Sequence, residues 1–279
     1  MGIPSRGRER AHAPWLFLAL TLAWTWPLWG LAGLVADDWL TGPSLVLFAL
    51  GGLGPLLVAA ALVALGYAGQ SPAAFWRRAL DPRVLPARWW VVVLGLALLP
   101  PLLVRMAGRG ADEALLAPGA VAFLVVGALA GAAEEPGWRG YAQHGLQERM
   151  SVLSASLVVG VAWAGWHLPL FWIEGTYQHG LGVLTPAFVS FHLAILVGTV
   201  IYAWLYNATG GATVAAVAYH GLGNLANELL PADGAEHLAV GLQAVLALAL
   251  VTAAWRWILA PRRLDAARPV DGGTGPPGA

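Results

Sequence analysis

Glu134, Glu135, Arg139, His167, His220 and Asn224 are the residues of this chain best placed to do chemistry, because they interrupt or border long apolar runs. A charged side chain at mid-bilayer costs about 2.5–3.5 kcal/mol on insertion scales, so several together call for a functional explanation. The run GAVAFLVVGALAGAA leads into Glu134, Glu135, Pro136, Gly137, Trp138 and Arg139; WAGWHLPLFW carries Trp163 and His167; AVAYHGLGN carries His220 and Asn224. Glu135 and Arg139 stand four apart and can pair on one helical face. That pairing leaves Glu134, about 100° round the helix, as the freer carboxylate and the candidate general base. His220 and Asn224 project together for the same reason, as do Trp163 and His167, with Trp163 walling a pocket. Pro136 should free the Ala132 carbonyl and kink its helix, and Pro169 marks a second kink. Taken singly, these features read as an ion pair, a packing histidine and helix–helix glue. Taken together, two acids, two histidines and an amide on three helices can gather round one water. A glutamate would take its proton while histidine and asparagine orient it or hold a metal, which is the chemistry of amide hydrolysis. The zinc-peptidase pattern of two histidines on one helical turn flanking a glutamate is absent. His192, which matches none of the three motif positions, is read as a packing or cavity residue with a role in the site as the alternative, and His144 and His179 as solvated loop residues.

The elements that must hold these side chains follow from composition. Of 279 residues, 58% are hydrophobic and 11% charged, with mean hydropathy +0.67; a soluble domain carries about 25% charged residues. Eight apolar runs, at roughly 13–36, 44–67, 89–107, 118–138, 152–173, 184–206, 211–230 and 237–259, approach the ~20 residues that span a bilayer as helix. The expected fold is an all-α, polytopic transmembrane helical bundle of about eight spans, covering residues 1–264. The Pro/Gly-rich segment 265–279 is expected to be a disordered cytoplasmic tail. Zero net charge excludes the basic stripe of a nucleic-acid binder. The absence of cysteine removes disulfides, thiolate nucleophiles and cysteine metal sites. The first run is long for a cleaved signal and is taken as a retained span. Arginines at 6, 8, 10, 77, 78, 83, 88, 149, 262, 263 and 268 alternate with acidic loops at 37–38, 174 and 233–236, and only the loop with Arg105 and Arg109 dissents. The inside rule therefore puts both termini in the cytoplasm of a multi-pass cell-membrane protein. Residues 71–90 and 140–150 read as interfacial stretches, and most tryptophans as interfacial belts. One piece of arithmetic sits badly: at about 1.5 Å per residue, Glu134 falls roughly 6 Å from the cytoplasmic boundary while His220 lies near the midplane and His167 beyond it.

The motifs Glu134-Glu135-Pro-Gly-Trp-Arg139, Trp163-Ala-Gly-Trp-His167 and His220-Gly-Leu-Gly-Asn224 resemble those of the CAAX protease and bacteriocin-processing family of intramembrane proteases, also called abortive-infection-like. The stretch WLYNATGGATVAAVAYHGLGN resembles the family's lead-in to its last motif, and the likeness covers roughly residues 118–227. The common second motif has Phe four residues before the His; Trp163 replaces it here. The resemblance implies an endopeptidase acting on a peptide or membrane-protein substrate within the bilayer. It implies that Glu134 activates water and His167 helps hold it, that Glu135 and Arg139 support them, and that His220 and Asn224 orient water or stabilise the oxyanion. Whether a metal takes part is open; a zinc, if bound, would fall to Glu134, His167 and His220. A catalytically idle scaffold or immunity protein, or a transporter, are the alternative readings.

Overall fold

A computed structural model describes residues 13–35, 42–108, 120–230 and 234–264. The tail at 265–279 and the arginines of the N-terminal segment lie outside these residues. Among the described residues the chain is helical, its one strand-like feature an isolated bridge between Ser151 and Pro261. In order come α1 (Pro14–Val35), α2 (Gly42–Gly52), α3 (Gly54–Ala64), α4 (Pro72–Leu80), α5 (Ala87–Met106) and α6 (Ala120–Glu135). They are followed by α7 (His144–Gln147), α8 (Val152–Trp166), α9 (Tyr177–Leu181), α10 (Pro186–Ala208), α11 (Thr213–Leu229), α12 (Glu236–Ala253) and α13 (Trp255–Ile258).

Each of the eight apolar runs is helical, but they are not equal spans. Five are long and apolar enough to cross a membrane, or six if α2 and α3, bent by 49° at Leu53, count as one. The two left over, α6 with 16 residues and α11 with 17, are the helices that carry both glutamates, His220 and Asn224. Outer helices turn bare apolar side chains outward, Val91 on α5 and Val245 and Leu248 on α12 among them. A surface of that kind suits hydrocarbon rather than water. This is an all-α, multi-pass membrane protein. Tryptophan serves two purposes in it: Trp15, Trp24, Trp172 and Trp255 are exposed, whereas Trp29, Trp138, Trp163 and Trp166 are buried.

The segment after Glu135 departs from the sequence reading. Pro136 lacks the N–H that an α-helical ladder needs at that point. The helix does not end there; it widens into a π-helical stretch, Pro136–Gln143, and runs on into α7, all of it buried. Residues 140–147 are therefore interior helix, not an interfacial stretch. Glu134 sits near the middle of a continuous run from Ala120 to Gln147. Counted at about 1.5 Å per residue or slightly less, Glu134 and Trp163 both lie roughly 15–20 Å from the α7–α8 turn. The depth mismatch came from ending the span too early. Glycine allows the π stretch its neighbours: a Cβ on Gly137 would sit 2.6 Å from the carbonyl oxygen of Pro55, and one on Gly140 3.2 Å from Thr213 Oγ1. Pro169 likewise does more than kink. Helix α8 stops at Trp166, and Leu168–Trp172 continues as a 3₁₀ turn.

Candidate active site

Helices α6 and α11 pack backbone to backbone, and that contact brings the acids to the histidine. Cβ atoms on Gly127 and Gly131 would lie 2.8 Å from the carbonyl of Gly221 and 2.6 Å from that of Val217. Small residues four apart make this approach possible in a bilayer. The same two glycines face the Cβ atoms of Asn224 and His220, each at 3.3 Å.

At the end of α6 a buried chain of charged groups forms. Arg139 Nη1 donates to both carboxylate oxygens of Glu135 at 2.9 Å, the pairing expected from their spacing. Arg139 Nη2 donates to Thr199 Oγ1 at 3.2 Å, and the guanidinium lies 3.9 Å from the ring centre of Tyr202 and 4.5 Å from that of Trp163. Such stacking suits a planar, weakly hydrated cation buried away from water. Glu135 has a second partner that spacing alone did not disclose: His220 Nδ1–H donates to its Oε1 at 2.8 Å. That bond directs His220 Nε2 toward the other acid, 4.0 Å from Glu134 Oε1. The distance is too long for a direct hydrogen bond and short enough for a shared small molecule.

Glu134 is buried, and its other oxygen is held. Trp163 Nε1–H donates to Glu134 Oε2 at 2.7 Å. Trp163 is thus more than a wall: its indole supplies a donor that a phenylalanine ring would lack. Its ring also lies 5.6 Å from His220 and 5.9 Å from His167, centre to centre. His167 makes no hydrogen bond to Glu134; its Nδ1–H donates to Trp163 O at 2.8 Å, four residues back, which leaves Nε2 as an acceptor.

The structure therefore gathers Glu134, Glu135, Arg139, Trp163 and His220 by direct contact and sets His167 beside them through Trp163. Asn224 shares the α6-facing side of α11 with His220, but its side chain is exposed and bonds to no described residue. Among the described residues no three His, Asp or Glu side chains lie close enough to share an ion. Glu134, His167 and His220, as they stand, are not gathered into a three-ligand set. Spacing had pointed to neither Thr199 nor Tyr202. Their signal was present, since Thr199, Tyr202 and Tyr206 fall three and four apart as a polar stripe along α10.

His144 is corrected outright. It is a buried residue of α7, not a solvated loop residue, and its Nδ1 shares a 2.8 Å hydrogen bond with Tyr206 Oη. His179, by contrast, is exposed as read, though on the short helix α9 rather than in a loop.

Fold and site together define a class: a helical membrane protein with a buried glutamate–histidine–arginine cluster. Comparison with known proteins adds a likeness to one family over part of the chain. Residues 116–226, which hold all three motifs, match the family model described as Type II CAAX prenyl endopeptidase Rce1-like. Over 111 residues the chain is 37% identical to CAAX prenyl protease 2 of Methanococcus maripaludis, an alignment covering 39% of this chain and 40% of that protein. The chain thus aligns with less than half the length of this curated relative. Over the aligned segment, the family resemblance read from the motifs is borne out.

Proposed function

We propose that this protein is an intramembrane endopeptidase and that Glu134 is its general base. The observation that carries the reading is the state of the Glu134 carboxylate: one oxygen is fastened by Trp163, and the other faces His220 Nε2 across 4.0 Å inside an apolar bundle. A water between them could lose its proton to Glu134 as its oxygen attacks the scissile carbonyl carbon. Collapse of the tetrahedral adduct breaks the C–N bond, and the same proton passes to the leaving nitrogen. His167 Nε2 helps hold the water, while His220 and Asn224 orient it or stabilise the oxyanion. Glu135 and Arg139 keep His220 in the required orientation, and no step is routed through a metal.

The peptide substrate is membrane-associated. The relative's name makes a farnesylated peptide ending in a CAAX sequence the first probe to try. Glu134→Gln keeps the shape of the side chain and deletes its basicity, so cleavage of that probe should fall about 10²–10⁴-fold. Normal cleavage by this variant would remove Glu134 from the role.

We further propose that both termini face the cytoplasm, on the strength of the arginine bias. Single cysteines placed at Arg83 and at Glu174, in a chain with none of its own, should label from opposite sides of a sealed vesicle. Labelling from one side would overturn this topology.

A further inference from the structure

His167, which caps the end of α8, and His192 on α10 share one geometry, and the proposed mechanism uses the first of them. His167 Nδ1–H donates to Trp163 O, and His192 Nδ1–H donates to Phe188 O, each at 2.8 Å and each four residues back. A carbonyl can only accept, so in both neutral rings Nδ1 holds the proton and Nε2 is an acceptor. In His192 that Nε2 is buried, and no described group donates to it. The ring is held between Phe188 at 4.2 Å and Phe171 at 5.4 Å, with Phe191 edge-on at 5.4 Å. Phe191 in turn meets His167 edge-on at 5.4 Å, and His167 and His192 are close enough to interact electrostatically. One aromatic ring separates the two imidazoles.

Packing does not explain an imidazole here. Phenylalanine or leucine would fill the same space without burying an acceptor that lacks a donor, which is a destabilising arrangement. The fold itself says what such an acceptor is for. A peptide entering an apolar site brings main-chain N–H groups that need partners. A helical bundle has no sheet edge to offer, and away from the helix ends its own carbonyls are spent within the helices. Within the length of α10, where His192 stands, the acceptor available is a side chain.

We propose that His192 is a substrate-binding residue: its Nε2 accepts a hydrogen bond from a main-chain N–H of the bound peptide, while Phe171, Phe188 and Phe191 hold an adjacent apolar side chain. The inference rests on the peptidase reading and deepens it. It concerns binding, so it separates from the chemistry at Glu134.

The test uses the full chain in lipid nanodiscs with the farnesylated CAAX peptide and copies N-methylated at one backbone amide at a time. His192→Phe keeps the stacked ring and deletes the acceptor; it should raise KM about tenfold, the scale of one lost hydrogen bond, with kcat within about twofold. His192→Gln should restore much of the affinity. One N-methyl position should weaken binding to the unaltered protein and make no further difference to His192→Phe. An unchanged KM in His192→Phe overturns the proposal. So does a fall in kcat alone, or equal losses for every methylated peptide in both proteins, which would assign His192 to water. If His192→Phe does not fold, the methylation series on His192→Gln decides in the same way. If the unaltered protein cleaves no probe, the peptidase reading fails by itself. Probe binding to Glu134→Gln and to the Glu134→Gln/His192→Phe double variant still decides here, and equal affinity or no binding overturns the proposal.

Discussion

Two buried polar regions lie along the same continuous helix, and they are built in opposite ways. Beyond Pro136, around α7, the groups are amides and a histidine in mutual satisfaction. Gln147 Nε2 donates to Asn207 Oδ1 at 3.0 Å, Asn207 Nδ2 returns a bond to Gln147 Oε1 at 2.9 Å, and Gln143 Nε2 donates to Gln147 Oε1 at 3.1 Å. Arg78 reaches in from α4 to the carbonyls of Gly210 and Gly211, its buried Nη1 alone bonding to no described group, and the chain after α13 adds Arg262 N to Gln147 O at 2.7 Å. With Gln143 also reaching the carbonyl of Val152, the region ties α4, α7, α8, α10 and the segment after α13 together. Around Glu134 the groups are charged, and one valence is kept back: Glu134 Oε1 faces His220 Nε2 across a gap instead of bonding to it. Burial of polar groups is therefore not itself the sign of a site. An amide network that bonds helix to helix holds them in register; a charged cluster with an unused carboxylate acceptor is equipped to act on something else.

Substitutions can break or sharpen this contrast. The largest effect on the fold belongs to Arg139→Ala, which strands Glu135 inside the bundle. It should destabilise the protein by about 3–5 kcal/mol, measured as loss of folded protein in a detergent or denaturant titration. Stability within error of the unaltered protein would mean that water reaches Glu135. Gln147→Ala should cost less, about 1–2 kcal/mol, and the cleavage rate per folded molecule should stay normal. A selective loss of turnover there would erase the distinction between the two regions. His144→Ala belongs with it, because its Tyr206 contact makes it a stability variant rather than a neutral control. Trp163→Phe is the smallest and sharpest change. It keeps the ring against Arg139 and His220 and removes one charge-assisted donor from Glu134. Turnover should drop about tenfold, equivalent to ~1.4 kcal/mol, with the fold intact. Unchanged turnover would reduce Trp163 to a wall.

Much of this protein was legible in one dimension. Low charge and apolar runs of membrane length determine the helices, since bilayer thickness and the helical rise leave little choice. Charged residues in those runs determine the candidates, because hydrocarbon penalises each one. The Glu135–Arg139 pair follows from four-residue spacing alone. Tertiary structure decided the rest. It set the depth of Glu134, because Pro136 converted a helix end into a π-helical continuation. It gave Glu135 a second partner, because Gly127 and Gly131 let α6 approach α11 closely enough for His220 to reach across, and it brought α8 near enough for Trp163 to donate to Glu134. It moved His144 indoors and left His192 with an unmet acceptor. Spacing along one helix says which side chains share a face; which face meets which depends on contacts between helices far apart in the chain, and local periodicity carries no record of those.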